Sequence, residues 1–186
     1  MELAATALDL PPDYFVTEGG YAKPGCTLRL AHYLETPPAG AEVNQSRYNA
    51  HSDYDGFTFL SREALQGGLE IRLQEEGEWV AVAPPPGCLV VNIGDLLARW
   101  SNDRWKAALH RVATPSASDE RHTTDSQLSV VFFSGPHPDT VIDCLPSEKC
   151  RGLGYDNGGG GAVYPIVTAG EHTRKKLEMA AGLFRD

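Results

Sequence analysis

The chain has 186 residues, 41% of them apolar and 22% charged, with a formal net charge of −9. That is the size of one domain of ordinary size or a little more. The acidic balance argues against nucleic acid or an anionic membrane as the main partner, since both reward a basic surface. No stretch approaches the roughly 20 apolar residues of a membrane span. Residues 1–5 lack the basic start and apolar core of a secretory signal, so a cytoplasmic location is expected. The cysteines at 26, 88, 144 and 150 form no Cys-x-x-Cys pair, so zinc is not expected. Cys144 and Cys150 flank a loop and are close enough in sequence to pair, but reduced thiols are expected. The 19 glycines and 13 prolines favour many short elements joined by turns, the profile of an all-β domain.

In chain order, Leu3, Leu8 and Leu10 give a short first helix an apolar face, and Pro11-Pro12 ends it. A strand follows over 26–34, with Leu28, Leu30 and His32 on one face and Arg29, Ala31 and Tyr33 on the other. A loop over 37–40 leads to a second strand over 47–53. Asp55-Gly56 is a turn signal, and Phe57-Thr58-Phe59-Leu60 resumes the extended chain. Residues 69–73 alternate apolar and polar, 75–78 form a hairpin tip and 79–82 return from it. The run Pro84-Pro85-Pro86-Gly87 turns the chain into a core strand over 88–93. One or two helical turns follow over 94–100, then a strand over 106–112 and a polar, exposed insertion over 114–126. The last strong strand covers 128–133. Residues 136–142 read as a loop edge. The glycine-rich stretch 152–161 lacks the lysine and the strand-to-helix frame of a phosphate loop. Thr168 with Glu171 makes a capping box for a final helix, whose stripe is Leu177, Ala180, Ala181 and Phe184. About eight short strands result, which fit a jelly roll or another β-sandwich.

The chemistry centres on His51-x-Asp53 in Tyr48-Asn49-Ala50-His51-Ser52-Asp53-Tyr54-Asp55-Gly56. Two residues apart on a strand, an imidazole and a carboxylate point to the same side. His-x-Asp also recurs by chance as a solvated polar pair. With a distant histidine it becomes two thirds of the two-histidine, one-carboxylate set that holds non-haem iron and leaves positions open. His110, in Leu109-His110-Arg111-Val112, is the candidate, because early and late strands of a jelly roll meet in the barrel mouth. A structural histidine is the other reading of that position. His32, His122, His137 and His172 sit in weaker contexts.

These stretches resemble the isopenicillin N synthase-like Fe(II)/2-oxoglutarate dioxygenases. The likeness runs through Leu28-Arg29-Leu30, Tyr33, residues 50–60, 67–71, 79–84 and 87–95, His110-Arg111-Val112, and residues 129–133 and 164–172. It implies a double-stranded β-helix, the jelly roll above, with short flanking helices. The dioxygenase domain would cover 27–145, preceded by 1–26 as a remnant of the family's N-terminal region. A glycine-rich loop and helix over 146–186 would follow. The resemblance also implies His51, Asp53 and His110 as Fe(2+) ligands, with no catalytic residue beyond them. Implied too are 2-oxoglutarate as cosubstrate, O2, a small-molecule substrate, and ascorbate as the reductant that keeps iron ferrous.

In that family an Arg-x-Ser pair on the last strand meets the far carboxylate of 2-oxoglutarate, and a tyrosine on the first core strand assists. Tyr33 and Ser129 match, whereas the arginine position holds Gln127 and the usual asparagine before the tyrosine is Ala31. Three expectations follow: weakened 2-oxoglutarate binding, Arg121 swinging in from the insertion, or an iron oxidase that needs no 2-oxoglutarate. The chain begins almost at the core, so a truncated relative that binds metal without turnover is a further alternative. The sheet face that the family's N-terminal region covers would then be bare. Tyr54 and Phe57, following the metal strand, are candidate walls of the substrate pocket.

Overall fold

The computed structural model describes residues 1–34, 46–62, 67–72, 77–114, 126–151 and 162–182. Two four-stranded antiparallel sheets face each other. The first orders β1 (Thr27–Tyr33), β8 (Gln127–Ser134), β3 (Phe57–Arg62) and β6 (Val90–Ile93). The second orders β2 (Tyr48–His51), β7 (Leu109–Val112), β4 (Leu69–Arg72) and β5 (Trp79–Ala81). Apart from the adjacent pair β4 and β5, successive strands alternate between the sheets, which is the double-stranded β-helix. A two-stranded ribbon of β9 (Val141–Ile142) and β10 (Val167–Thr168) closes one end.

Alternation along the first sheet decides what lines its inner face. Arg29, Ala31 and Tyr33 of β1, Thr58, Leu60 and Arg62 of β3, and Gln127, Ser129, Val131 and Phe133 of β8 point into the space between the sheets. Leu28 and Leu30 therefore point outward, and they stay 65% and 66% exposed. Leu128, Phe132 and Val91 share that bare outer face. This is a larger apolar surface than scattered single leucines make.

The packed core lies beyond one end of the sheets. It gathers α1 (Glu2–Ala7), α2 (Tyr14–Thr17), α3 (Asp95–Trp100), α4 (Glu148–Arg151) and the start of α5 (Ala169–Ala180). Leu8, Phe15, Leu96, Leu97, Ile142 and Leu145 are fully buried there. The Phe15 and Trp100 rings meet edge to face at 5.3 Å. Burying each such large side chain contributes about 1.5–3 kcal/mol. The segments before residue 27 and after residue 145 thus share one core with α3.

Several elements differ from the sequence expectation. β2 stops at His51, so Asp53 lies in the link that crosses from one sheet to the other. β7 starts at Leu109, because Ala108 instead donates its N–H to Ile93 of the opposite sheet. Residues 141–142, read as a loop edge, pair with β10. In α1 the buried face is Ala4 and Ala5, with Leu3 turned to solvent. The α5 stripe does not pack: Leu177, Ala180 and Ala181 are exposed, and the helix anchors through Ala169 and His172. Phe184, the loop over 37–40, the glycine-rich 152–161, and residues 115–125 with Arg121 and His122 lie outside the described residues. The capping box forms as expected, with Thr168 Oγ1 accepting from the Glu171 N–H at 3.2 Å.

Candidate metal centre

His51 and His110 face each other directly across β2 and β7 in the strand register. Their ring centroids stand 4.2 Å apart. Asp53 reaches the same point from the crossover link. Its Oδ1 lies 3.6 Å from His51 Nε2 and 3.7 Å from His110 Nε2. One donor atom from each of the three residues falls within 4.8 Å of the others, the one such group of three or more found among the described residues.

The backbone sets the tautomers. His51 Nδ1 donates to the Asn49 carbonyl at 2.8 Å, and His110 Nδ1 donates to the Ala108 carbonyl at 2.9 Å. With the proton on Nδ1, each Nε2 presents a lone pair toward Asp53. Asn92 of β6 donates from Nδ2 to Asp53 Oδ2 at 2.7 Å, a charge-assisted contact that orients the carboxylate. Asp53 is only 6% exposed. Burial alone would raise its pKa, but hydrogen bonds from neighbouring side chains, the Asn92 amide among them, outweigh burial and hold the carboxyl down to about 2.

The link that carries Asp53 is fastened by the first turn of α3. Asp95 N–H donates to the Asp53 carbonyl at 2.7 Å, and Leu96 N–H donates to the Asp55 carbonyl at 3.3 Å. Helix N-termini have such unsatisfied donors to offer. Gly94 makes the approach feasible: a Cβ there would sit 2.3 Å from the Asp55 carbonyl oxygen. The sequence therefore places Asp53 through a glycine about forty residues away, rather than through strand alternation.

Beside the trio, a cavity of about 100 Å³ runs between the sheets. Tyr33, Gln127 and Ser129 all line it. Tyr33 stands opposite Gln127 in the register and Ala31 opposite Ser129. Gln127 and Ser129 are 3% and 7% exposed. Burial raises the Tyr33 phenol, opposed by the nearby Arg29 and Arg62 cations. Tyr54 and Phe57 do not line the cavity, contrary to expectation. The turn over 54–56 resets the alternation, so Phe57 points away from the cavity and lies 6.2 Å from the Trp105 ring.

Three lining or supporting residues escaped the sequence reading: Asn92, Arg29 and Arg62. Extending the Thr58, Leu60 alternation by one more step would have placed Arg62 on the cavity face.

Residues 24–136 match the 2OG-Fe(II) oxygenase superfamily model. The chain belongs to the 2OG-Fe(II) oxygenase superfamily. Among curated relatives it is 32% identical to the 2-oxoglutarate-Fe(II) type oxidoreductase hxnY of Emericella nidulans. That alignment covers 98% of this chain and 47% of the relative. It is 33% identical, with the same coverage, to validamycin A dioxygenase of Streptomyces hygroscopicus subsp. limoneus. Among solved structures, a full-length Neurospora crassa protein in complex with alpha-KG and thymine superposes with a TM-score of 0.80 at 26% identity. There the match covers 99% of this chain and 51% of that one. The chain thus spans about half the length of these relatives.

The donor set suits the ferrous ion that this superfamily uses. The donor atoms already converge without a metal, with Asp53 Oδ1 3.6 and 3.7 Å from the two Nε2 atoms. Two imidazoles and one carboxylate at the wall of a cavity are the donor types that iron oxygenases use. Among the described residues, no helix is long and apolar enough to cross a membrane.

Proposed function

We propose that this chain carries the oxidising core of an Fe(II)- and 2-oxoglutarate-dependent dioxygenase acting on an organic small molecule. The observation that carries the reading is the convergence of two Nε2 lone pairs on Asp53 Oδ1, with both tautomers set by backbone carbonyls. His51, Asp53 and His110 would hold Fe(2+). Once bound, the ion supplies the oxygen chemistry: O2 is consumed, 2-oxoglutarate becomes succinate and CO2, and one oxygen atom goes to a substrate C–H in hydroxylation. Desaturation or ring closure is the outcome when substrate geometry redirects the oxidation. Ascorbate would keep the ion ferrous.

The protein's own residues supply position and dryness. Asn92 fixes the direction of the Asp53 carboxylate. Tyr33, Gln127 and Ser129 offer hydrogen bonds to the cosubstrate deeper in the cavity. Leu60, Leu69, Ile71, Val90 and Val131 wall the cavity with hydrocarbon and limit water beside the metal. The oxidising unit is residues 27–145, with Leu8 and Phe15 before it and Cys150 and Ala169 after it packing in one core with α3 and through it bracing the Asp53 link. The acidic charge and free thiols fit a reducing, cytoplasmic setting without nucleic acid or membrane as partner.

Gln127 favours a second reading, an iron oxidase that needs no 2-oxoglutarate. Measuring succinate against oxidised product separates the two. Succinate formed in step with product supports the first reading; product without succinate supports the second.

A further inference from the structure

We propose that Arg62 is the cation that meets the far carboxylate of the 2-oxo dicarboxylate, supplying from β3 the charge that Gln127 does not carry on β8. This rests on the 2-oxoglutarate reading above.

The placement follows from register. Arg62 lies opposite Ser129 across β3 and β8, and Tyr33 lies opposite Gln127 across β1 and β8. Three adjacent strands therefore present Tyr33, Gln127, Ser129 and Arg62 at one end of one cavity. At the other end Thr58 stands opposite Asn92, which bonds Asp53. Four residues of strand separate Thr58 from Arg62, about 13 Å. The long arginine side chain shortens that gap, leaving room for a short dicarboxylate with its keto-acid end toward the trio.

Chemistry narrows the choice to Arg62. An anion in a largely apolar cavity needs a charged partner, because neutral donors compensate its lost hydration incompletely. Only two cations line this cavity among the described residues, Arg29 and Arg62. Arg29 is exposed and engaged elsewhere, with its guanidinium 5.4 Å from the Tyr48 ring centroid. Arg62 is half-buried and steadied by donating from Nη2 to the Gly67 carbonyl at 2.8 Å. A guanidinium carries its charge on a planar fork whose geometry matches a carboxylate. Gln127 then serves as the neutral neighbour. Its buried Nε2 has no hydrogen-bond partner among the described residues and faces the same cavity.

The test compares two keto acids that differ in the far carboxylate. Protein loaded anaerobically with Fe(II) is titrated with 2-oxoglutarate and with 2-oxobutyrate, following the visible charge-transfer absorbance of the chelate. Arg62→Gln should weaken 2-oxoglutarate about 10- to 100-fold and leave 2-oxobutyrate unchanged. Combining it with Gln127→Arg, which returns the charge from the neighbouring strand, should restore the preference. Arg62→Lys keeps charge without the fork and should give an intermediate loss for 2-oxoglutarate alone. If Arg62→Gln does not fold, Arg62→Lys carries the test. Equal weakening of both acids, an unchanged ratio, or a loss that follows Arg29→Gln instead would overturn the assignment. A wild-type protein that binds Fe(II) but shows no band with either acid would instead overturn the 2-oxoglutarate reading itself.

Discussion

Asn92→Leu isolates the support of the metal centre from the ligands themselves. Leucine keeps the branching at Cγ and the same number of side-chain heavy atoms, with somewhat greater bulk, and removes both amide donors. Asp53 Oδ2 then loses its 2.7 Å contact in a site that is 6% exposed. A hydrogen bond to a charged group contributes about 1.5–3 kcal/mol, roughly a factor of ten to a hundred and fifty in an equilibrium constant. Partners of metal ligands, when removed, typically cost about 10–100-fold in metal affinity. The two estimates agree, so the dissociation constant for Fe(II) should rise about 10- to 100-fold. A further sign follows from titration. Asn92 is one of the groups holding the Asp53 carboxyl below its usual range, while burial pushes it up. Without the amide, protons compete better with metal, and the acid limit of metal binding should move to higher pH. Anaerobic calorimetric titration with Fe(II), and with Mn(II) as an ion less prone to oxidation, measures both effects. An unchanged affinity in a variant with an intact melting transition would refute the claim that Asn92 orients Asp53.

Three further outcomes are expected. His110→Ala should abolish stoichiometric Fe(II) binding by the same calorimetry; retained one-to-one binding would remove His110 from the site. His172 is buried, and burial lowers its pKa to about 4 from an ordinary value of 6.5. The unfolded chain therefore takes up the proton first as pH falls, so stability contributed by neutral His172 is present above pH 6.5 and drains away toward pH 4. The loss is on the order of 2 kcal/mol, and His172→Leu should flatten that part of the urea-melt pH profile; an unaltered profile would show that His172 titrates normally. Thr168→Ala removes the α5 capping box and should cost about 1 kcal/mol, lowering the thermal midpoint by about 2–4 °C; no change in the melt would mean that α5 contributes nothing to the cooperative unit.

The jelly roll was legible because strand alternation and turn signals survive in short, glycine-rich pieces. A period of two groups Tyr33 with Arg29 and Ala31, and Gln127 with Ser129, and the structure keeps both groupings. Alternation could not say which face of β1 is inner. The apolar face of Leu28 and Leu30 is the bare one, while the cavity takes Arg29 and Tyr33. The Asp53–Phe57 stretch was misread for a different reason. It crosses between sheets, and the turn over 54–56, pinned by α3, breaks the period. Asp53 still meets His51, but through backbone hydrogen bonds from Asp95 and Leu96 that no local pattern encodes. Asn92 and Arg62 depend on strand register, which is a long-range property. Arg62 was further hidden because the apolar run of β3 reads as ending at Leu60, whereas the strand continues to Arg62.

The central claim is that His51, Asp53 and His110 hold iron in a cavity that also takes 2-oxoglutarate. Its most direct test is anaerobic absorption spectroscopy of the chain with Fe(II), with 2-oxoglutarate, and with both. A visible charge-transfer band that needs both additions, saturates at one equivalent of iron and disappears in His110→Ala is the predicted result. Stoichiometric iron binding with no such band at any 2-oxoglutarate concentration would contradict the claim.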